Sequence, residues 1–506
     1  MASAISEARK QVRNAYGAAF ASKASDALVL SIAQPLTLRQ ESAVRGITFA
    51  SGTTLRFSPE EVGAASVAVA PMAGPSIVIV ELSQPKPRPK VEVEPTHPAL
   101  KDLSATLGKL GLESVADAAS VVRRLRAAQM RDAFYYQVGS LREQIGRSVG
   151  MHSEMVAPGM ARPTTQVCWL NSSLRTAAHL PTLAEVAHDS KVERIGLPRL
   201  LRPDAGTKRA KGVKKTGGKR KKVAVEVSGG DDVLGTVAFR ARTRLTGKGV
   251  VVAILDTEIA YKNTAFGNRV ILKENYTREP WGHPHFHGTA VAGLLAASAQ
   301  ALTGIVPEAT IYHYKVLATN EENNADDFGG TLAIQQALED GAQIANCSWG
   351  IGPAGDGTSR EARAFDQAWD LGLVIVKSAG NEGKEGLTSP ADARGVIVVG
   401  ATDRAGRNVI PQSSRGPAPN GRQPDCVAPG GSSDDYLTSC EVNGEIGRVG
   451  FGTSFAAPQV AGLLALLLAQ NRDQEPESLR TALGGLCRSL SGFDVRAQGR
   501  GLPVLS

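Results

Sequence analysis

No two of the five cysteines in this 506-residue chain are spaced as C-x-x-C. An odd, scattered set (Cys168, Cys347, Cys426, Cys440, Cys487) does not build a disulfide framework, and reduced thiols are expected. No run of about twenty apolar residues occurs, so no membrane-crossing helix is expected. The first residues, "MASAISEARKQVRNAYGAAFASKASDAL", lack a continuous apolar core followed by a small-residue cleavage site, which reads as a cytoplasmic protein. Acidic residues are missing from one place: Lys208 to Lys222, "KRAKGVKKTGGKRKK", holds nine basic residues and no carboxylate. With a net charge of +8, that leaves −1 for the rest of the chain, so the basic balance is local. A Gly-interrupted tract of this kind reads as a solvated, protease-sensitive linker, and neither nucleic acid nor a membrane is the expected partner. At 42% hydrophobic and 21% charged, the composition supports packed cores.

The length suggests about three domains. "RGITFASGTTLRFSP" and "SVAVAPMAGPSIVIVEL" pair short β-prone runs around turns, giving a β-rich N-terminal domain that ends with the Pro-rich tether "SQPKPRPKVEVEPTHP" (domain 1–95). Helical periodicity follows from Ala99 to about Val149. "TQVCWLNSSLRTAAHLPTLAEVAHDSKVERIGL" then reads as strand, helix and strand, with Val167, Trp169, Val192 and Ile195 facing inward (domain 96–203). After the basic linker, 204–232, the segments "GVVVAILD", "ATIYHYKVL", "AQIANCSWG", "LVIVKSAG" and "GVIVVGATD" alternate with the helix candidates "GTLAIQQALEDG" and "EARAFDQAWDLG". That alternation predicts an α/β domain over 233–506, a doubly wound parallel sheet with functional groups at the carboxyl ends of its strands.

Three of the eight histidines, His283, His285 and His287, alternate in "PWGHPHFHGTAVAG". On an extended strand they could share one cation, so this segment alone reads as a metal site. Elsewhere, strand ends and helix starts supply Asp256, His287, Asn381 and Ser454. Any one of them could be a cap or a turn residue. Together they offer what acyl transfer requires: a hydroxyl, an imidazole to take its proton, a carboxylate to orient the imidazole, and an amide donor for an oxyanion.

In "LDT", "HGTAVAG", "NCSWG", "SAGNEG", "SSRGPAPNGRQPDCVAPG" and "GTSFAAPQVAG", taken in this order, the chain resembles the subtilisin-like serine protease (subtilase) family over about residues 233 to 480. The resemblance implies a subtilisin-like catalytic domain in which Ser454 is the nucleophile, His287 the general base and then acid, Asp256 the orienting carboxylate, and Asn381 a donor to the oxyanion together with the Ser454 backbone N–H. It implies that Ser348, Trp349, Gly350, Ser378, Ala379 and Gly380 wall the pocket for the residue before the scissile bond. Glu258 departs from the family's pattern, standing where a glycine usually follows the Asp-Thr pair. Trp349 is bulkier than usual, either as a pocket wall or as a core aromatic.

The unit around "VCWLNSSL" and "VERIGL" resembles the family's inhibitory propeptide. A small α/β propeptide-like domain therefore precedes the catalytic one, as an intramolecular inhibitor whose exit strand crosses the active site. A self-processing zymogen, cut between about Pro198 and Asp232, is the expectation. Glu321, Glu322, Asp326 and Asp327 in "ATNEENNADDF" are read as an acidic rim of the cleft, with Glu321 and Glu322 as substrate contacts favouring basic residues upstream of the cut. Calcium, often used in the family, finds no standard ligand spacing there, and no cofactor or metal is assigned. The substrate expected is a protein or peptide. Three alternatives stand beside the endopeptidase: a metal-dependent hydrolase on the histidine trio, a non-catalytic basic scaffold binding nucleic acid, and a peptide ligase on the same catalytic fold.

Overall fold

The structure, a computed structural model, describes residues 2–32 (except 27 and 31), 46–48, 54–56, 77–82, 130–131, 166–177, 184, 186–189, 192–196, 198–204, 226–227 and 232–506 (except 473). The basic tract 208–222 and the Pro-rich tether lie outside them, as do nearly all of the helices expected over 99–149. The described residues fall into two compact units, one drawn from Met1–Pro89 and Gln129–Arg199, the other from Leu200–Ser506.

The first unit contains an antiparallel four-stranded sheet, ordered Gln166–Cys168, Ser173–Ala177, Ile77–Leu82, Val192–Gly196. Trp169, Leu174, Ile79, Val80, Val192 and Ile195 are buried in it. Its strand Ile77–Leu82 comes from the segment assigned by sequence to domain 1–95, so the sheet crosses the boundary expected at residue 95. The chain opens on helices Ala2–Tyr16 and Ala18–Lys23, not on strands, and Phe20 and Ala21 are buried. A hairpin pairs Gly46–Thr48 with Thr54–Arg56.

The second unit is built on a seven-stranded, all-parallel sheet. Its strands in chain order are β1 (Val251–Thr257), β2 (Val270–Asn275), β3 (Thr310–Leu317), β4 (Ile344–Cys347), β5 (Val374–Ser378), β6 (Ile397–Thr402) and β7 (Cys426–Pro429). They lie in the order β2-β3-β1-β4-β5-β6-β7. The chain moves outward from β1 on one side and returns to build the other, so the order reverses beside β1, where α/β sheets open a crevice at their carboxyl ends. Helices α1 (Phe286–Ala296), α2 (Asp327–Glu339), α3 (Arg360–Asp370) and α4 (Thr453–Gln470) cover the sheet, with α1 packed on α4 and α2 on α3.

Burial on both faces explains the near-continuous apolar runs of β1, β4, β5 and β6, every residue of which is at least half-buried. The two edge strands, β2 and β7, were not among the strand candidates. The first alternates burial irregularly and the second has four residues, so neither carries a long apolar signature. By length and composition α4 could cross a bilayer, but here it is buried as the central core helix.

Candidate active site

At the end of β1, buried from Val252 onward, the Asp256 carboxylate is 0% exposed. Its Oδ1 accepts from the Thr257 N–H (2.6 Å) and hydroxyl (3.2 Å) and meets Nδ1 of His287 at 2.6 Å. The imidazole comes from the first turn of α1. That turn approaches the strand end so closely that a Cβ on Gly288 would lie 2.2 Å from the Thr257 carbonyl oxygen. The Thr257 hydroxyl also accepts from the Gly288 N–H at 2.8 Å, fixing the helix start. With Nδ1 held by a carboxylate, the basic lone pair of His287 lies on Nε2, which is buried and has no partner among the described residues.

Ser454 is the second residue of α4, and the ring of the next residue, Phe455, lies 5.6 Å from that of His287. Its hydroxyl donates to the Ser348 carbonyl at 3.2 Å. Pro458 lies in the second turn and has no N–H to offer the Ser454 carbonyl four residues back, so one helical bond is missing there. The Ser348 hydroxyl replaces that bond, donating to the Ser454 carbonyl at 3.0 Å. Asn381 spends its Oδ1 on the Thr453 N–H (3.1 Å) and hydroxyl (3.2 Å). Its Nδ2 is buried with no partner among the described residues, a spare donor beside the helix N-terminus.

Residues Leu200–Asp204 run through this cleft as an added strand. Leu200 bridges antiparallel to Asp326, and the Leu201 N–H donates to Ala325 (3.0 Å) while its carbonyl accepts from Asn324 Nδ2 (2.7 Å). On the other side Arg202 and Pro203 pair antiparallel with Gly350 and Trp349. Asp204 donates its N–H to Ser348 (3.3 Å) and accepts at its carbonyl oxygen from the Ser454 N–H (3.2 Å), an orphan donor of the helix start. The Asp204 carboxylate meets Lys377 Nζ (2.6 Å), the Ser378 hydroxyl (2.8 Å) and the Thr388 hydroxyl (3.3 Å).

The structure thus brings Ser348, Gly350 and Ser378 to the pocket, with Ala379 and Gly380 continuing the wall behind Thr388, whose N–H donates to Ala379. To the pocket around Asp204, Trp349 contributes backbone only. Its indole is buried edge-on to Phe365, ring centroids 6.0 Å apart, as a core aromatic. The acidic rim is not what the sequence suggests. Asp326 caps α2 through the Gly329 N–H, and buried Asp327 pairs with Arg360 at 2.6 Å. Glu321 and Glu322 are exposed, and among the described residues neither side chain bonds to residues 200–204. Lys377, Thr388 and Asp204 were missed. The available signal was a lysine inside the otherwise apolar run "LVIVKSAG".

The three histidines do not converge. His283 is exposed, His285 caps α1, and among the described residues no group of three metal-ligating side chains occurs. Glu258 is anchored. It accepts from the N–H groups of Gly282 (2.9 Å) and His283 (3.0 Å) and pairs with the fully buried Lys315 at 3.1 Å. Lys315 also pairs with Glu279 at 2.8 Å. Burial alone would raise the Glu279 carboxyl, but its bonds to Lys315 and Thr319 bring it below the usual range. The departure at Glu258 therefore pins the loop leading to His287.

Residues 247–485 match the model of the Subtilase family. The chain is 33% identical to serine protease AprX of Bacillus subtilis (strain 168) over 272 residues, covering 47% of this chain and 61% of that one, less than two thirds of its length. Against subtilisin BL of Lederbergia lenta it is 32% identical over 267 residues, 50% of this chain. A crystal structure of a cold adapted subtilisin-like serine proteinase aligns at 24% identity and TM-score 0.45, over 52% of this chain and 91% of that one. Because the match takes in 89% of subtilisin BL, the chain belongs to the subtilase family.

Proposed function

We propose that the chain is a serine endopeptidase whose propeptide-like segment enters its own cleft and is released by self-processing. The observation that carries this reading is the 3.2 Å hydrogen bond from the Ser454 N–H to the Asp204 carbonyl oxygen, made by a peptide strand paired on both sides. A carbonyl held there is polarised by a donor at a helix N-terminus, with Asn381 Nδ2 free to add a second as negative charge develops. The Ser454 hydroxyl leaves the Ser348 carbonyl, gives its proton to His287 Nε2 and attacks the carbonyl carbon. Nε2 passes the proton to the departing amine. Water then hydrolyses the ester, one proton restoring the serine. Asp256, bonded to Nδ1, keeps the imidazole oriented and stabilises its charged form.

Adding a fluorophosphonate probe to wild type and to Ser454→Ala tests the reading. Labelling only in wild type, with a shortened chain on incubation only in wild type, is the expected result. Equal labelling of both, or none, overturns it. By its chemistry a metal hydrolase would be stopped by a chelator and ignored by the probe.

A further inference from the structure

Lys377 is the penultimate residue of β5, with its side chain 0% exposed on the floor of the pocket under Ser454. Among the described residues the only carboxylate within salt-bridge distance is Asp204, on the strand lying in the cleft. Its remaining contacts are neutral oxygens: the Ser378 carbonyl, the Ser378 hydroxyl (3.3 Å) and the Thr388 hydroxyl (3.4 Å). A buried ammonium left without a counter-charge is costly, and one facing another cation is worse. The pocket is therefore incomplete until an anionic side chain enters it.

Its shape is matched to a short one. Asp204 Oδ2 reaches Lys377 and Ser378 Oγ together, while Thr388 Oγ1 lies 3.3 Å from both carboxylate oxygens. Gly350 opens the entrance, since a Cβ there would stand 3.0 Å from Asp204 Oδ1 and 2.7 Å from Thr388 Cβ. Three residues upstream, Leu201 is 0% exposed, and the close approach of Gly330 brings its methyl groups and the Trp349 indole to the same spot. Between them Arg202 is exposed and Pro203 half-buried.

We propose that this enzyme cleaves after aspartate, selected by Lys377, in extended segments with a large aliphatic residue three positions earlier, and that Asp204–Ala205 is the bond it cuts in itself. The proposal rests on the peptidase reading above and adds its substrate class. In the self-cut, Ser454 Oγ forms an ester with the Asp204 carbonyl carbon as the bond to the Ala205 nitrogen breaks. The serine proton reaches that nitrogen through His287, and water releases Asp204 as a free carboxylate end. The sequence-based expectation of a basic preference is reversed at this subsite, because the charge that decides lies on the pocket floor and not on the rim.

The test compares fluorogenic amides of Leu-Arg-Pro-Asp, and of the same peptide ending in Glu, Asn, Phe or Lys, with the full-length wild-type protein. Expected is a kcat/KM for Asp at least about 100-fold above Asn, the size of effect that follows when a desolvated charge loses its partner, with Glu between them and Lys lowest. Lys377→Met should bring the Asp-to-Asn ratio near one, and Lys377→Arg should restore part of it. Sequencing of the processed chain should begin at Ala205, and Asp204→Asn should block that cut. A wild-type enzyme whose Ser454 takes the fluorophosphonate but which prefers Phe or Lys overturns this inference alone. So does a Lys377→Met variant, folded by circular dichroism, with its Asp preference intact. Absence of Ser454 labelling overturns the peptidase reading and this inference with it.

Discussion

At the residue scale, two buried groups carry opposite duties. Asn381 holds the start of α4 with its oxygen and keeps its nitrogen free, so its contribution to catalysis should arise only when an oxyanion forms. Asn381→Ala should lower kcat by about 10²- to 10³-fold while KM stays within a few-fold, read from steady-state kinetics on one peptide substrate. His313, in β3, is 0% exposed. Its Nδ1 faces the Ile254 carbonyl (3.1 Å), and its Nε2 accepts from the Ile259 N–H (3.4 Å). That arrangement suits a neutral ring, and burial pushes its pKa down from 6.5 to about 4. Between those values the unfolded chain binds a proton that the folded one refuses, so stability falls as pH drops from 6.5 toward 4. At about 1.4 kcal/mol per unit the loss approaches about 3 kcal/mol. Urea unfolding at pH 7, 5.5 and 4 should show that loss in wild type, and a much smaller one in His313→Gln.

At the element scale, the site depends on how chain ends are fastened. Lys315 on β3 satisfies both Glu258 and Glu279, and through them the segment 279–283 that leads into α1. Removing the cation leaves two carboxylates facing each other in a buried place. Lys315→Met should cost about 3–5 kcal/mol in urea denaturation, and converting both glutamates to glutamine in the same chain should recover part of it. The network also explains why a glutamate is tolerated where the family usually has glycine: the side chain ties down a loop through two backbone donors. The reverse holds at Gly350, where the missing side chain is what the pocket needs. Gly350→Ala should lower kcat/KM for the Asp substrate by at least 10-fold by crowding Thr388, with a smaller effect on fluorophosphonate labelling, which needs less of the pocket.

At the scale of the whole molecule, two local readings of charge stand beside one tertiary observation. The tract 208–222 looked like the cleavable segment because of its lysines and arginines, and the loop 321–327 looked like its receptor because of its carboxylates. The described part of the strand held in the cleft includes Asp204, which precedes the tract in sequence and has its carboxylate on Lys377. Replacing all nine basic residues of 208–222 with serine and glycine should therefore leave the site of self-cleavage unmoved, as intact-mass analysis of the products would show. A shifted or abolished cut would return the decision to the tract.

Much of the site was legible in the chain before folding. Asp256, His287, Asn381 and Ser454 stand in motifs whose backbone needs are local: a strand end, a helix start with glycine beside it, a turn, a helix N-terminus. The parallel sheet was legible because strands buried on both faces must be apolar throughout. Of the edge strands, β2 is partly exposed and β7 is only four residues long, so neither left such a mark. Pocket charge was not legible either. Lys377 and Asp204 are separated by more than 170 positions, and nothing in the surroundings of either says which buried cation an exiting strand will meet. The sequence by itself determined which chemical groups exist and which local conformations carry them, because propensity, capping and periodicity act over a few residues. Only the tertiary structure decided which charge lies at the bottom of the cleft, because a buried ion pair is selected by desolvation and geometry among residues brought together from distant parts of the chain.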